Sequence, residues 1–239
     1  MNDYLGDRLN KRDLSKDGSD QRIPHEQLSL QLDDSVRSSI AQARKEYQQA
    51  VDDQELGYLY YSRYGKNGIK AAKSSPDGWV QMVMQLAYAL TFPDDPITGT
   101  YEAAMTRRYA LGRTETVRVC SPASKAFVLA SLPDSGVPDT EKRRLFLEAL
   151  KQHGADMKDA SNATGCDRHI FGLKMINAER KDGPEEVELF GDELLKKSGT
   201  WQLSTSAITS KHFAAYGWGQ VVPDGFGECM YRTSQYVLP

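Results

Sequence analysis

From Asp34 onward, apolar side chains return at Val36, Ile40, Ala43, Tyr47 and Ala50, the period of one helix face. Asp33 or Asp34 is placed to accept the exposed amides at its start. The aromatic run from Tyr58 to Gly65 reads as a strand. Ser75 then offers a cap and Pro76 a first helical residue, and the pattern puts Trp79, Met82, Val83, Leu86 and Leu90 on one face of the helix that follows. FPDDPITG interrupts the pattern, and Thr100 to Arg118 resumes it as two extended segments meeting near Gly112.

Helix starts recur at Ser121 with Pro122 and at Pro138, which leads a helical run through Glu141 to Leu150. CDRHIFGLKMI and PEEVELFGDELLKK are two further helices. Beyond Thr200 the chain changes to strands broken by Gly and Pro turns. Residues 1–22 are polar, show no apolar period and are expected to form a disordered tail, with one domain over residues 23–239. Helices alternating with both kinds of strand context predict an α/β fold built on a mixed sheet flanked by helices.

Composition narrows the function. Of 239 residues 39% are hydrophobic and the formal net charge is −3, so a sizeable core is available and no basic stripe invites nucleic acid. No apolar run approaches a membrane span, and the polar N-terminus lacks the apolar core of a signal peptide. Cys120, Cys166 and Cys229 are odd in number and far apart, which predicts neither a disulfide framework nor a metal cluster and implies a reducing, intracellular compartment.

The chemistry concentrates in TYEAAMTRRYALGRTETVR, residues 100–118, where Arg107, Arg108, Arg113 and Arg118 crowd with threonines and two tyrosines around Gly112. Taken singly, each arginine reads as a solvated strand face. The pattern as a whole resembles the choline/carnitine O-acyltransferase family, in which a Tyr-Glu-Ser-Ala segment leads to Gly-Arg-Thr-x-Thr. The resemblance continues in order through GKNGIKAAKSSPDGWVQ (65–81), CDRHIFGLKM (166–175), LSTS (203–206) and WGQVVPDGFG (218–227).

That family moves acyl groups between coenzyme A and carnitine or choline, without a metal. The resemblance implies that Tyr101, Thr114 and Arg168 are ligands of the carnitine carboxylate, a role that suits a fixed guanidinium joined by two hydroxyls. Choline-specific members replace the threonine and the arginine, and both are intact here, so carnitine is the expected alcohol. Lys66, Lys70 and Asp77 inherit contacts to coenzyme A, although lysines of this kind are ordinarily solvated surface groups. Ser206 inherits the oxyanion donor, with Ser204 and Thr205 as neighbours in the substrate site. Family members commonly have Gln where this chain has Ala207, which removes a coenzyme A contact. Tyr216 falls where a bulky residue would block a long acyl chain, so an acetyl or other short acyl group is expected.

Acyl transfer also needs a base for the carnitine hydroxyl. His25, His153, His169 and His212 all stand outside the family's catalytic motif, His153 reading as a residue at a helix end that complements the carbonyl dipole. By resemblance the catalytic histidine lies in a preceding lobe, and the last strands of the family's fold are also missing. The expectation is therefore one incomplete lobe of the coenzyme A-dependent, chloramphenicol acetyltransferase-like fold, most like the C-terminal lobe of short-chain members. Such a chain is expected to be inactive alone and to need its missing lobe as a partner. The alternative is a non-catalytic carnitine- and coenzyme A-binding or interaction protein. The family's compartments are mitochondrion, peroxisome and cytoplasm.

Overall fold

The computed structural model describes residues 28–207, 216–232 and 237–238. The tail expected over residues 1–22, and also His25 and His212, lie outside the described residues. The chain divides into a unit over Met1–Leu59 and a second over Tyr60–Pro239.

In the first unit, α1 spans Asp34–Asp52, and Asp33 is its cap, accepting the Val36 amide at 2.9 Å. The run 58–65 is irregular and not the expected strand, with a lone bridge residue at Tyr61. Side-chain packing explains the difference in its second-unit part. Tyr61 meets Tyr64 edge-on at 5.0 Å, Tyr64 meets Trp79 at 6.0 Å, and Trp79 meets Phe146 at 5.0 Å. Tyr61 and Tyr64 thus reach the following helices through edge-on ring contacts, while Tyr58 and Tyr60 stay exposed, so the β propensity of this run is not expressed in ladder pairing.

The second unit opens with α2 (Lys66–Ala71) and α3 (Pro76–Thr91), the latter capped by Ser75 as expected. Strands β1 (Thr100–Met105) and β2 (Thr114–Arg118) form an antiparallel hairpin. Helix α4 (Pro122–Ser131) starts in a capping box between Ser121 and Ser124, and α5 runs from Asp139 to Ser161, well beyond the predicted stretch. Next comes α6 (Asp167–Ala178). The single helix predicted from PEEVELFGDELLKK is two short ones, α7 (Glu188–Gly191) and α8 (Glu193–Ser198). Asp192 is extended between them and caps the second through the Leu195 amide.

Strands β3 (Leu203–Ala207), β4 (Phe226–Arg232) and β5 (Val237–Leu238) complete a five-stranded sheet in the order β2-β1-β3-β4-β5. Pairing is antiparallel, parallel, parallel and antiparallel across that order. The mixed sheet flanked by helices is the predicted fold class. Before β4 the chain folds back tightly, and a Cβ on Gly227 would lie 2.6 Å from the carbonyl oxygens of Trp218 and Gly219.

The core lies between the hairpin and α3, α4 and α5. Met82 and Ala89, Ala104 and Val117, Phe127 and Val128, and Ala149 and Leu150 form one buried cluster. On α3 the buried face is only partly the one predicted: Met82 is buried and Leu86 packs against the core. Val83 and Leu90 are about half exposed, whereas Gln81 and Gln85 are buried. Both glutamines bridge to the sheet, Gln81 Nε2 donating to Thr205 Oγ1 at 2.9 Å and Gln85 Nε2 to Thr100 Oγ1 at 2.8 Å. A buried amide with a partner is tolerated where an unpaired one is costly, so polarity alone misassigned this face. Consistent with this, Met82→Ala should destabilise the fold by about 2–5 kcal/mol and Val83→Ala by less than about 0.5 kcal/mol, as read from urea unfolding midpoints.

Candidate functional site

In a strand, successive side chains face opposite sides. The burial of β1 alternates accordingly, with Thr100, Glu102 and Ala104 buried and Tyr101 and Ala103 only partly so. One face of the hairpin therefore meets the core helices. The other presents Tyr101 from β1 with Thr114 and Arg118 from β2, since Tyr101 is registered on Arg118 and Met105 on Thr114.

Arg168, in the first turn of α6, completes this second face. Its Nη2 donates to Tyr101 Oη and to Thr114 Oγ1, each at 3.3 Å, and its Nε donates to the Thr114 carbonyl at 3.1 Å. The three residues that the sequence singled out from separate motifs thus converge. Among the described residues Nη1 has no hydrogen-bond partner, and the Arg168 side chain is exposed. Both hydroxyl oxygens accept from the guanidinium, which leaves each O–H to donate elsewhere. The cluster is an anchored cation with three outward donors, chemistry that suits a carboxylate.

Local sequence explains how α6 reaches the hairpin. Gly165 lets the chain pass over β2, because a Cβ there would lie 2.7 Å from Glu115 Cγ. Glu115 is buried and accepts from the Thr116 amide at 2.7 Å and, more weakly, from the Arg168 amide at 3.4 Å. Arg118 donates to both oxygens of Asp167, through Nη2 at 2.7 Å and Nε at 3.0 Å.

The LSTS segment is β3, and alternation divides it. Ser204 is registered beside Tyr101, so Ser204 and Ser206 belong to the face that carries Arg168. Thr205, expected to join them, points to the helix side instead. It is fully buried, donates to the Tyr101 carbonyl at 2.9 Å and accepts from Gln81. Tyr216 lies at the same strand, its hydroxyl donating to the Ser206 carbonyl at 2.8 Å and its ring 5.5 Å from that of Trp218. Trp218 Nε1 in turn donates to the Ser204 carbonyl at 3.3 Å.

Lys66 and Lys70 lie on α2, the first half-buried and the second exposed. Asp77, expected to share a ligand with them, is half-buried in the first turn of α3. One ligand atom each from Asp77, Glu102 and His153 lies within 4.8 Å of the others, and Glu102 and His153 are buried. Such a donor set could hold a metal ion, but the 2.7 Å contact between His153 Nε2 and Glu102 Oε2 has the length of a shared hydrogen bond. Burial pushes the Glu102 carboxyl up, the imidazole counters this, and Asp77 adds to the rise. Burial alone would lower His153, but its hydrogen bond to Glu102 and the charges of Glu102, Asp77 and Asp156 leave it above the ordinary imidazole value. His153 is therefore a buried structural residue midway along α5, not a group at a helix end. His169 is exposed on α6.

Several site residues were missed from the sequence. Arg118 and Glu115 were visible within the hairpin motif, but their partners, Asp167 and the Arg168 amide, lie about fifty residues away. Asp77, Gln81 and Gln85 repeat every four residues, a spacing that marks one polar helix face and was legible.

Comparison with known proteins places the chain in a family. The family model described as "Choline/Carnitine o-acyltransferase" matches residues 1–237. The chain is 35% identical over 244 residues to the mitochondrial carnitine O-acetyltransferase of Saccharomyces cerevisiae, covering 99% of this chain and 36% of that protein. It is 33% identical over 202 residues to carnitine O-acetyltransferase of Mus musculus, covering 84% and 32%. It is also 35% identical over 186 residues to peroxisomal carnitine O-octanoyltransferase of Bos taurus, covering 77% and 30%. The chain thus spans about a third of the length of the curated relatives it matches. Among the described residues no helix is long and apolar enough to cross a membrane.

The buried pair yields a pH prediction. A raised His153 value means that the native state holds a proton the unfolded chain releases, so its stabilising contribution is full below about pH 6.5 and is lost as pH rises through the folded value. The raised Glu102 value has the same sign, favouring the folded state most at acid pH. Melting temperature should fall as pH increases from about 6.5, and His153→Gln should flatten that slope. An unchanged slope in the variant would mean that His153 does not carry it.

Proposed function

Because the chain belongs to the choline/carnitine O-acyltransferase family, we propose that its second unit holds the carnitine side of an acyl-transfer site, with coenzyme A as the other substrate. The observation that carries the reading is the convergence of Arg168 Nη2 on Tyr101 Oη and Thr114 Oγ1 at 3.3 Å. The carboxylate docks on the Arg168 guanidinium and accepts the two hydroxyl hydrogens. Choline has no group to meet this cation, so the intact threonine and arginine favour carnitine.

Further roles follow by position. Ser206 projects from the same sheet face and serves as donor to the oxyanion of the tetrahedral adduct. Tyr216, held against the Ser206 carbonyl, narrows the adjacent space and favours an acetyl or other short acyl group. Lys66 and Lys70 attract the phosphates of coenzyme A as point charges. Asp77 keeps the nucleotide-side role that the resemblance implies, its carboxylate also lying within 4.8 Å of ligand atoms of Glu102 and His153.

The proton of the carnitine hydroxyl has no assigned acceptor among the described histidines: His153 is buried against Glu102, and His169 is exposed on α6. On this reading the chain alone binds without turning over. That absence, with Ala207 in place of glutamine, also supports the second reading of a carnitine- and coenzyme A-binding protein.

Calorimetric titration of the chain with L-carnitine tests the site. Arg168→Met should weaken binding at least tenfold, the size expected for loss of a charge-assisted hydrogen bond of about 1.5–3 kcal/mol. Equal affinity in the variant would remove the carboxylate assignment. Mixing the chain with acetyl-coenzyme A and carnitine should release thiol only at the background rate. Carnitine-dependent release that disappears on replacing one histidine would identify a base within the chain.

A further inference from the structure

Arg168 is preceded directly by Asp167, the first residue of α6. A carboxylate beside the guanidinium that must capture a carboxylate has two consequences. It competes for the open Nη1 donor, and it repels an incoming anion. The helix start makes an acid favourable at this position, so the residue is stabilising for α6 and adverse for the ligand.

The structure shows what contains it. Arg118 faces Tyr101 across the hairpin and takes both Asp167 oxygens in a two-pronged contact. The remaining Arg118 nitrogen, Nη1, donates to the Ser198 carbonyl at the end of α8 at 2.7 Å. Its guanidinium lies 5.0 Å from the centre of the Trp201 ring, and that ring lies 5.9 Å from the ring of Tyr101. Asp167 is 16% exposed and Arg118 35%, so solvent screens the pair only in part. The other nearby carboxylate, Glu115, is buried and turned to backbone amides.

We propose that Arg118 is a positioning residue for anion capture: by holding both oxygens of Asp167 it fixes the first turn of α6 and keeps that carboxylate from occupying or opposing Arg168. The inference rests on the carnitine reading above. Lysine cannot replace Arg118 fully, because one ammonium does not span two carboxylate oxygens, a carbonyl and a ring face together.

The test measures affinity of the full chain for L-carnitine and for its methyl ester, which keeps the ammonium and lacks the negative charge. Arg118→Met should weaken carnitine about tenfold or more and the ester little, so that preference for the free acid collapses. Adding Asp167→Asn to Arg118→Met should recover most of the loss, because the freed charge is gone. A double variant no better than Arg118→Met, or equal losses for acid and ester, would make Arg118 a merely structural residue and overturn the proposal. Should Arg118→Met fail to fold, Arg118→Lys with and without Asp167→Asn is read by the same criteria. Arg168→Met separates the two claims. If the wild type binds no carnitine, or Arg168→Met binds it equally well, the carnitine reading falls and this inference with it; if only Arg118→Met is silent, this inference alone falls.

Discussion

The structure depends on one constraint: β1 carries polar side chains on both faces, and each face must be satisfied separately. Tyr101 and Glu102 are consecutive, so the pleat sends them to opposite sides. Glu102 goes under the sheet to His153 and Asp77, and Tyr101 goes over it to Arg168. A carboxylate buried without partners would cost several kcal/mol, so the strand could not sit in the core without an imidazole on α5 to meet it. Gln81 and Gln85 on α3 extend the same arrangement to Thr205 and Thr100. The underside of the hairpin is thus a polar seam within an otherwise apolar packing of α3, α4 and α5.

This constraint explains which parts of the molecule were legible in the sequence. Helix starts at Ser75 and Ser121 were readable because capping is local chemistry between residues three apart. The hairpin around Gly112 and the strands at the end of the chain were readable from their turn residues and extended runs. The burial of the α3 glutamines was not, since nothing in the apolar period reveals that a threonine more than a hundred residues later will accept the Gln81 amide. Tyr58 to Gly65 misled in the opposite direction, because Tyr64 stacks edge-on against Trp79 of α3 and no strand among the described residues pairs with the run.

The site was legible to a different depth. Motif resemblance brought Tyr101, Thr114 and Arg168 together, and the geometry agrees with that grouping. Resemblance groups residues within a motif better than it shows what holds them in place. Arg118 and Asp167 lie inside the same two motifs, yet their connection is a two-pronged contact between β2 and α6 that only the folded chain displays. Thr205 shows the converse, a motif residue placed one position too late to share the face of its neighbours.

Thr205 also connects the two faces. Its hydroxyl accepts from Gln81 below the sheet and donates to the main-chain carbonyl of Tyr101, the residue whose ring reaches Arg168 above it. Buried amide and hydroxyl groups in such a chain have few alternative partners, so a change in one leaves the next unsatisfied and shifts the backbone to restore it. Gln81 Oε1 already lacks a partner among the described residues, which leaves little slack in the seam. Substitutions beneath the sheet therefore reach the cluster of Tyr101, Thr114 and Arg168 through the position of β1 itself, and Asp77, with a ligand atom within 4.8 Å of Glu102, bears on that strand from below.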